Sequence, residues 1–215
     1  MSKIRLFIAE DHTMLRQSLV ILLSLQENLE VVGEAADGQE AYRKIIELKP
    51  DIAILDISIP QLNGIDLAIK LRHEPIDLRI IIMTMHKSES YAAAALRAGV
   101  RGYILKDNAL EELIECIDSV SNGNLYLSPS VTQMVVEGYI KNASDETPKD
   151  ETLSTREREI LQLLAEGKSN KDVSEILNLS IKTVETHRNN IMRKLGIKNV
   201  VGLVLYAVRN GLIEP

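Results

Sequence analysis

Residues 52–64 read IAILDISIPQLNG, and this stretch decides the fold of the first half of the chain. Its first four residues are all apolar, which is typical of a short strand buried on both faces of a parallel sheet. The apolar run stops at Asp56, and Pro60 and Gly64 follow as breaking residues before a stretch of helical period. Because ligands of α/β sheets collect at the carboxyl ends of the strands, we expect chemistry at Asp56.

Outward from this strand, the first 125 residues alternate β-branched runs with stretches of helical period. The other predicted strands are Ile4–Ala9, Val31–Glu34, Ile80–Thr84 and Gly102–Leu105. The predicted helices are a leucine-rich one from Leu15 and those at 39–48, 64–71, 89–98 and 109–120. Five strands alternating with five helices predict an α/β fold, a doubly wound five-stranded parallel sheet over residues 1–125.

From Leu153 onward the pattern is entirely helical. Polar residues that cap helix N-termini alternate with glycines at which helices end. Capping-box patterns at Ser154 and Ser169 open two helices, which run to Glu166 and Leu177. Ser180 caps a third helix, and a fourth fits 199–209. Two short helices joined by the turn at 178–180 predict a helix-turn-helix in a small all-α four-helix domain over 153–215.

The segment between these units, 126–152, is predicted to be a linker. It contains a helix at 129–141 and the polar, acidic stretch NASDETPKDET at 142–152. Charge differs on its two sides: residues 1–125 hold 13 basic and 19 acidic residues, whereas residues 153–215 hold 10 and 7. This asymmetry indicates two domains with different partners, of which only the second suits nucleic acid.

Composition excludes several classes of protein. The single Cys116 excludes a disulfide scaffold and fits a reducing compartment. No apolar run approaches the ~18 residues of a membrane span, and the run at 6–9 is too short for a signal peptide. The four histidines have no ligand spacing that predicts zinc. We therefore expect a cytoplasmic protein without a membrane partner.

Polar side chains follow several of the predicted strands, where the fold would bring them to one edge of the sheet. They are Glu10, Asp11, Asp56, Thr84 and Lys106. Each alone reads as an ordinary loop or surface residue, but together they mark a site. Three neighbouring carboxylates repel one another unless a cation intervenes, and hard oxygen ligands suit Mg²⁺. An aspartate beside Mg²⁺, a lysine and a hydroxyl can accept a phosphoryl group.

On these residues, 1–125 resembles the flavodoxin-like receiver domain of bacterial two-component response regulators. The matching pieces are Glu10-Asp11, the stretch from Asp56 to Gly64, Thr84, and Tyr103-x-x-Lys106. The resemblance implies that Asp56 is the phosphoacceptor for a sensor histidine kinase.

The resemblance also assigns roles to the residues around Asp56. It implies that Mg²⁺ is held by Glu10, Asp11, Asp56 and the main-chain carbonyl of Ser58. Lys106 and Thr84 would contact the phosphoryl oxygens, and Tyr103 would swing inward after phosphorylation.

Residues 153–213 resemble the DNA-binding domain of LuxR-type transcription factors of the NarL/FixJ subfamily, over LSTREREILQLLAEGKSNKDVSEILNLSIKTVETHRNNIMRKLGIKN. The resemblance implies that 181–195 is the recognition helix for double-stranded DNA and that 199–209 often forms a dimer seam. By position, we expect base contacts from Glu185, Thr186 and Asn189. The expected phosphate contacts are Lys171, Lys182, Thr183, Arg188, Arg193 and Lys194.

The prediction is a phosphorylation-switched transcription regulator rather than an enzyme, forming a homodimer on phosphorylation or DNA binding. A haloacid dehalogenase phosphatase would need a second acid where Ser58 stands. Two regulators of different kinds also fit parts of the pattern. One has the same architecture but works without phosphorylation, and the other is a quorum-sensing LuxR receptor with a ligand cavity. Mg²⁺-dependent phosphorylation discriminates against both.

Overall fold

A computed structural model of the chain describes residues 3–142, 153–197 and 199–213. The sequence predicts an acidic stretch at 142–152 as the end of the linker. All of it except residue 142 lies outside the described residues. The strands are β1 (Ile4–Ala9), β2 (Leu29–Ala35), β3 (Ile52–Leu55), β4 (Arg79–Thr84), β5 (Gly102–Leu105) and β6 (Tyr126–Leu127). The helices around them are α1 (Thr13–Ser24), α2 (Gly38–Leu48), α3 (Gly64–Leu71), α4 (Glu89–Arg97), α5 (Ala109–Ser121) and α6 (Pro129–Asn142).

The strands form one parallel sheet in the order β2-β1-β3-β4-β5-β6. Helices cover both faces, so Phe7 and Ala53 enter one core cluster while Leu6, Ile8 and Ile54 enter the other. Burial on both faces explains the unbroken apolar runs, and the predicted α/β class is confirmed.

The sheet has six strands, so the predicted number of five is wrong. The sixth strand has only two residues, Tyr126 and Leu127, which pair with Gly102 and Tyr103 of β5. These two residues lie in the segment predicted to be linker. A two-residue strand is too short to show alternation in the sequence, so only its partner strand defines it.

Strand register brings the carboxyl ends of the central strands together. Ala9 at the end of β1 lies opposite Leu55 at the end of β3. Thr84 at the end of β4 lies opposite Leu105 at the end of β5. The polar residues that follow β1, β3 and β5 therefore project at one edge of the sheet, next to Thr84.

Helix α6 packs back onto α4 and β5. The N–H of Ser128, just before α6, donates to the carbonyl of Tyr103 at 3.1 Å, and Val131 is fully buried in the same core cluster as Tyr103. A helix is thus present where 129–141 was predicted, and it packs against the first domain beside α4 and β5.

The C-terminal helices are α7 (Thr155–Ala165), α8 (Asn170–Leu177), α9 (Ile181–Leu195) and α10 (Val200–Arg209). Both predicted capping boxes form, at Ser154 and Ser169, and Ser180 caps α9. Gly196 ends α9 with a φ of 66°, a left-handed conformation that glycine adopts without strain. The predicted helical domain is confirmed.

The two domains contact each other through one face of each. Helix α3 and the loop before it, residues 57–63, pack against α7. None of the helices in the described parts of the chain is long and apolar enough to cross a membrane.

Candidate functional site

The acidic pocket lies at the carboxyl edge of the sheet and is centred on Asp56. Its side chain follows β3 and is almost completely buried, as is that of Glu10, which follows β1. Lys106 begins the short 3₁₀ turn after β5. Its Nζ lies 2.8 Å from Oε2 of Glu10 and 2.9 Å from Oδ2 of Asp56. The lysine therefore bridges the two carboxylates.

The charges in this pocket depend on one another. Burial by itself lowers the pKa of Lys106, but the carboxylates of Asp56 and Glu10 outweigh it and hold that pKa above its ordinary value. Burial also raises the pKa of Glu10, although the bond from Lys106 offsets part of this effect. The pocket holds more carboxylate charge than one ammonium group neutralises, which favours a further cation.

The donors near Lys106 fit the chemistry of Mg²⁺. Oδ1 of Asp56 is buried and has no hydrogen-bond partner among the described residues. Ligand atoms of Glu10, Asp11 and His12 lie within 4.8 Å of one another. Carboxylate oxygens are the hard ligands that Mg²⁺ prefers. No sequence pattern pointed to His12, whose Nδ1 lies 3.0 Å from Oδ1 of Asp11.

Ser58 and Thr84 are linked through His86. The hydroxyl of Ser58 is 2.7 Å from Nε2 of His86, and Oγ1 of Thr84 accepts from the N–H of His86 at 3.2 Å. Thr84 is buried at the end of β4. The Ser58 side chain thus has a partner in the first domain, while its proposed contribution to metal binding concerns only its carbonyl.

Tyr103 already occupies an inward position in this structure. Its ring is 1% exposed, and its hydroxyl lies 3.5 Å from the carbonyl of His86. The resemblance implied an inward swing after phosphorylation, but here the ring is inward without a phosphoryl group. The ring belongs to the same core cluster as Val131 of α6, and Leu127 of β6 packs against that cluster.

Helix α9 presents a polar face to solvent, as its sequence predicted. The three expected base-contacting side chains, Glu185, Thr186 and Asn189, are all exposed. The hydroxyl of Thr186 donates to the carbonyl of Lys182 at 2.9 Å, so its oxygen retains acceptor capacity. On the opposite face, Val184 and Ile191 are buried in the core of the C-terminal domain.

The predicted phosphate contacts surround this face. Exposed members of the set are Lys171, Lys182, Arg193 and Lys194, whereas Thr183 and Arg188 are half-buried. Lys194 donates to Oε2 of Glu157 at 2.6 Å, and its ammonium group has two further N–H donors.

The contact between the domains uses residues that no sequence motif singled out. In the first domain they are Gln61, Asn63, Asp66 and Lys70, and in the second they are Arg158, Glu159 and Gln162 of α7 and Glu166, which follows the last residue of α7. One signal was present: residues 158, 162 and 166 recur at intervals of four, so their polar side chains lie on a single face of the helix. Nothing in the sequence identifies what that face contacts.

Comparison with known proteins agrees with this architecture. Residues 6–118 match the family model of the response regulator receiver domain, and residues 151–207 match that of the luxR family of bacterial regulatory proteins. The oxygen regulatory protein NreC of Staphylococcus aureus (strain NCTC 8325 / PS 47) is 39% identical over 215 residues, which cover 98% of this chain and 99% of NreC.

The chain is also similar to solved structures of response regulators. The RcsB response regulator of Salmonella typhimurium has a TM-score of 0.64 at 28% identity, with 98% of this chain and 99% of RcsB covered. An RcsB–DNA complex has a TM-score of 0.59 at 29% identity, with coverage of 95% and 98%.

Proposed function

Because the chain belongs to the LuxR-type two-component response regulators, we propose that phosphorylation of Asp56 by a sensor histidine kinase governs DNA binding by its C-terminal helices. The observation that carries this proposal is the bridge of Lys106 between Asp56 and Glu10, beside a buried and unpartnered carboxylate oxygen. This arrangement provides a nucleophile, a cation and an acidic cluster within one pocket.

The residues of the pocket have complementary roles in phosphoryl transfer. The carboxylate of Asp56 attacks the phosphorus, and the bond to the kinase histidine breaks with its electron pair going to nitrogen. Lys106 moves from bridging two carboxylates to pairing with phosphoryl oxygens, and Thr84 supplies a hydroxyl at the end of β4. Phosphorylation therefore rearranges charges that are buried and strongly coupled in the structure described above.

Mg²⁺ would be held by Glu10, Asp11, Asp56 and the main-chain carbonyl of Ser58. When bound, it would neutralise the charge that develops on the phosphoryl oxygens. The excess of buried carboxylate in the pocket supports this assignment.

The DNA-binding step uses the exposed polar face of α9. We place Glu185, Thr186 and Asn189 at base edges, because carboxylates accept from cytosine N4 and asparagine amides pair with adenine. Basic residues around this face would hold the flanking phosphates. Two copies would bind half-sites about one DNA turn apart. The solved assembly of two RcsB dimers on two parallel DNAs supports a dimer in this family.

The first test is Mg²⁺-dependent labelling of the full chain by acetyl phosphate or by a phosphorylated kinase. Asp56→Asn should abolish labelling, because an amide is not the nucleophile, while the exposed Asp77→Asn should label normally. Retained labelling of Asp56→Asn would move the acceptor elsewhere. Labelled wild-type protein that binds duplex DNA with the affinity of unlabelled protein would refute the switch.

A further inference from the structure

The loop between the acceptor and α3, residues 57–63, is held by the DNA-binding domain. Oε1 of Gln162 accepts from the N–H of Asn63 at 2.8 Å, and its Nε2 donates to the carbonyl of Ile59 at 3.2 Å. Oε1 of Glu166 accepts from the N–H of Gln61 at 2.9 Å. Gln162 of α7 and Glu166, which directly follows α7, thus bind the loop backbone at residues 59, 61 and 63.

The contacts of Gln162 with the loop are buried, those of Glu166 are partly buried, and the two side chains support each other. Gln162 is 1% exposed and Asn63 is 2% exposed. Nε2 of Gln162 also donates to Oε1 of Glu166 at 2.8 Å, so each side chain fixes the other. A buried polar network whose members all have partners is rigid and specific, and removing one partner leaves the others unsatisfied.

The loop adopts a conformation that needs support. Gln61 has a φ of 67°, which lies in the left-handed region that residues with side chains rarely adopt. Its N–H is the group that donates to Glu166. The contact from α7 therefore offsets backbone strain in the loop that begins directly after Asp56.

We propose that Gln162 and Glu166 are positioning residues of the phosphoacceptor site, supplied by the DNA-binding domain. The inference rests on the proposed function, which assigns the carbonyl of Ser58 to Mg²⁺. Ser58 directly precedes Ile59, the first residue that α7 holds. By fixing the loop from Ile59 onward, α7 preorganises the main chain that presents this carbonyl.

Such support makes metal binding and domain docking reciprocal. If docking of α7 tightens Mg²⁺ binding, then Mg²⁺ must tighten docking by the same factor. Supporting contacts behind metal ligands commonly contribute about 10-fold to 100-fold in affinity. The receiver also holds the loop itself, through bonds such as that from the N–H of Gly38 to the carbonyl of Pro60 at 2.9 Å. We therefore expect a smaller effect of about fivefold.

The test measures the Mg²⁺ dissociation constant of the full chain by calorimetry. Gln162→Met and Glu166→Ala should each weaken binding about fivefold, because they remove loop contacts without touching a metal ligand. Glu166→Gln keeps an oxygen that accepts from Gln61 and should bind Mg²⁺ like the wild type. Glu175→Ala, an exposed change on α8, is the matched control.

A second measurement tests whether Mg²⁺ binding strengthens docking of the two domains. Saturating Mg²⁺ should slow amide hydrogen exchange at Gln61 and Asn63 in the wild type by the same factor, and not in Glu166→Ala. Unchanged Mg²⁺ affinity in both variants, or loss of affinity in Glu166→Gln and Glu175→Ala alike, would overturn the proposal. A wild type that binds no Mg²⁺ would instead refute the proposed function. If Gln162→Met fails to fold, the Glu166 pair of variants decides.

Discussion

The ion pair between Asp66 and Arg158 joins the two domains and gives a quantitative test of their docking. Asp66 lies in the first turn of α3 and is fully buried, and Nε of Arg158 on α7 lies 3.0 Å from its Oδ1 and 3.2 Å from its Oδ2. Arg158→Ala would leave the carboxylate with the amide of Asn63, whose Nδ2 donates at 2.6 Å. Burial already raises the pKa of Asp66, and loss of Arg158 would raise it further.

The magnitude lies between two limits. Removing one partner of a fully buried pair costs about 3–5 kcal/mol, whereas an exposed pair contributes about 0–1 kcal/mol. Arg158 is 34% exposed, so solvent screens part of the interaction. We expect docking to weaken by about 2 kcal/mol, which is about a 30-fold change in the docking equilibrium.

Amide hydrogen exchange measures this change at the interface itself. The N–H groups of Gln61 and Asn63 donate to α7, so they should exchange chiefly when the domains separate. Arg158→Ala should accelerate both amides about 30-fold and leave the amides of the central strands unchanged.

A double-mutant cycle separates the charge effect from lost packing. Asp66→Asn combined with Arg158→Ala should recover most of the protection, because no buried carboxylate then lacks its ion-pair partner. Wild-type protection at Gln61 and Asn63 in Arg158→Ala, or a double variant as weak as the single one, would refute the reasoning.

Three further outcomes are expected. The free energy of unfolding should fall as the pH rises from the ordinary pKa of Asp66, 3.8, to its raised native value, because the native state binds more protons in that window. Asp66→Asn should flatten this part of the pH dependence of unfolding, as measured by denaturant titration. Lys182→Ala should lower affinity for all DNA sequences and reduce the slope of log affinity against log salt concentration by about one unit. Asn189→Ala should instead lower the discrimination between bases at one position of the DNA site by about 1–3 kcal/mol, as measured by competition binding. Gly64→Ala would place a Cβ 2.2 Å from the carbonyl oxygen of Asp56, so receiver melting should show a loss of about 1–3 kcal/mol together with reduced labelling.

Much of the fold could be predicted because its signals are local. The strands at 4–9, 52–55 and 102–105 have the predicted bounds, since apolar runs buried on both faces end sharply at polar residues. Caps at Ser154, Ser169 and Ser180 were predictable because each hydroxyl bonds an amide three residues away. β6 was missed because its two residues carry no period and are defined only by β5.

The clustering of polar residues around Asp56 could be predicted, since register places the ends of parallel strands together, but the pairing of their side chains could not. The bridge from Lys106 to both Glu10 and Asp56 depends on side-chain positions across strands. The inward ring of Tyr103 lies in one core cluster with Val131 of α6, a helix within the segment predicted to be linker. The spacing of residues along the sequence gives no information on the Lys106 bridge or on the position of the Tyr103 ring.

The sequence by itself determined the two domains' internal architectures, the polar edge around Asp56 and the polar face of α9, because each follows from periodicity and from residues close along the chain. Only the tertiary structure decided how the domains meet. Gln162 and Asn63 are about 100 positions apart, and their hydrogen bond arises from the shapes of two completed surfaces rather than from any local preference. It is this long-range contact that connects the acceptor loop to the DNA-binding domain.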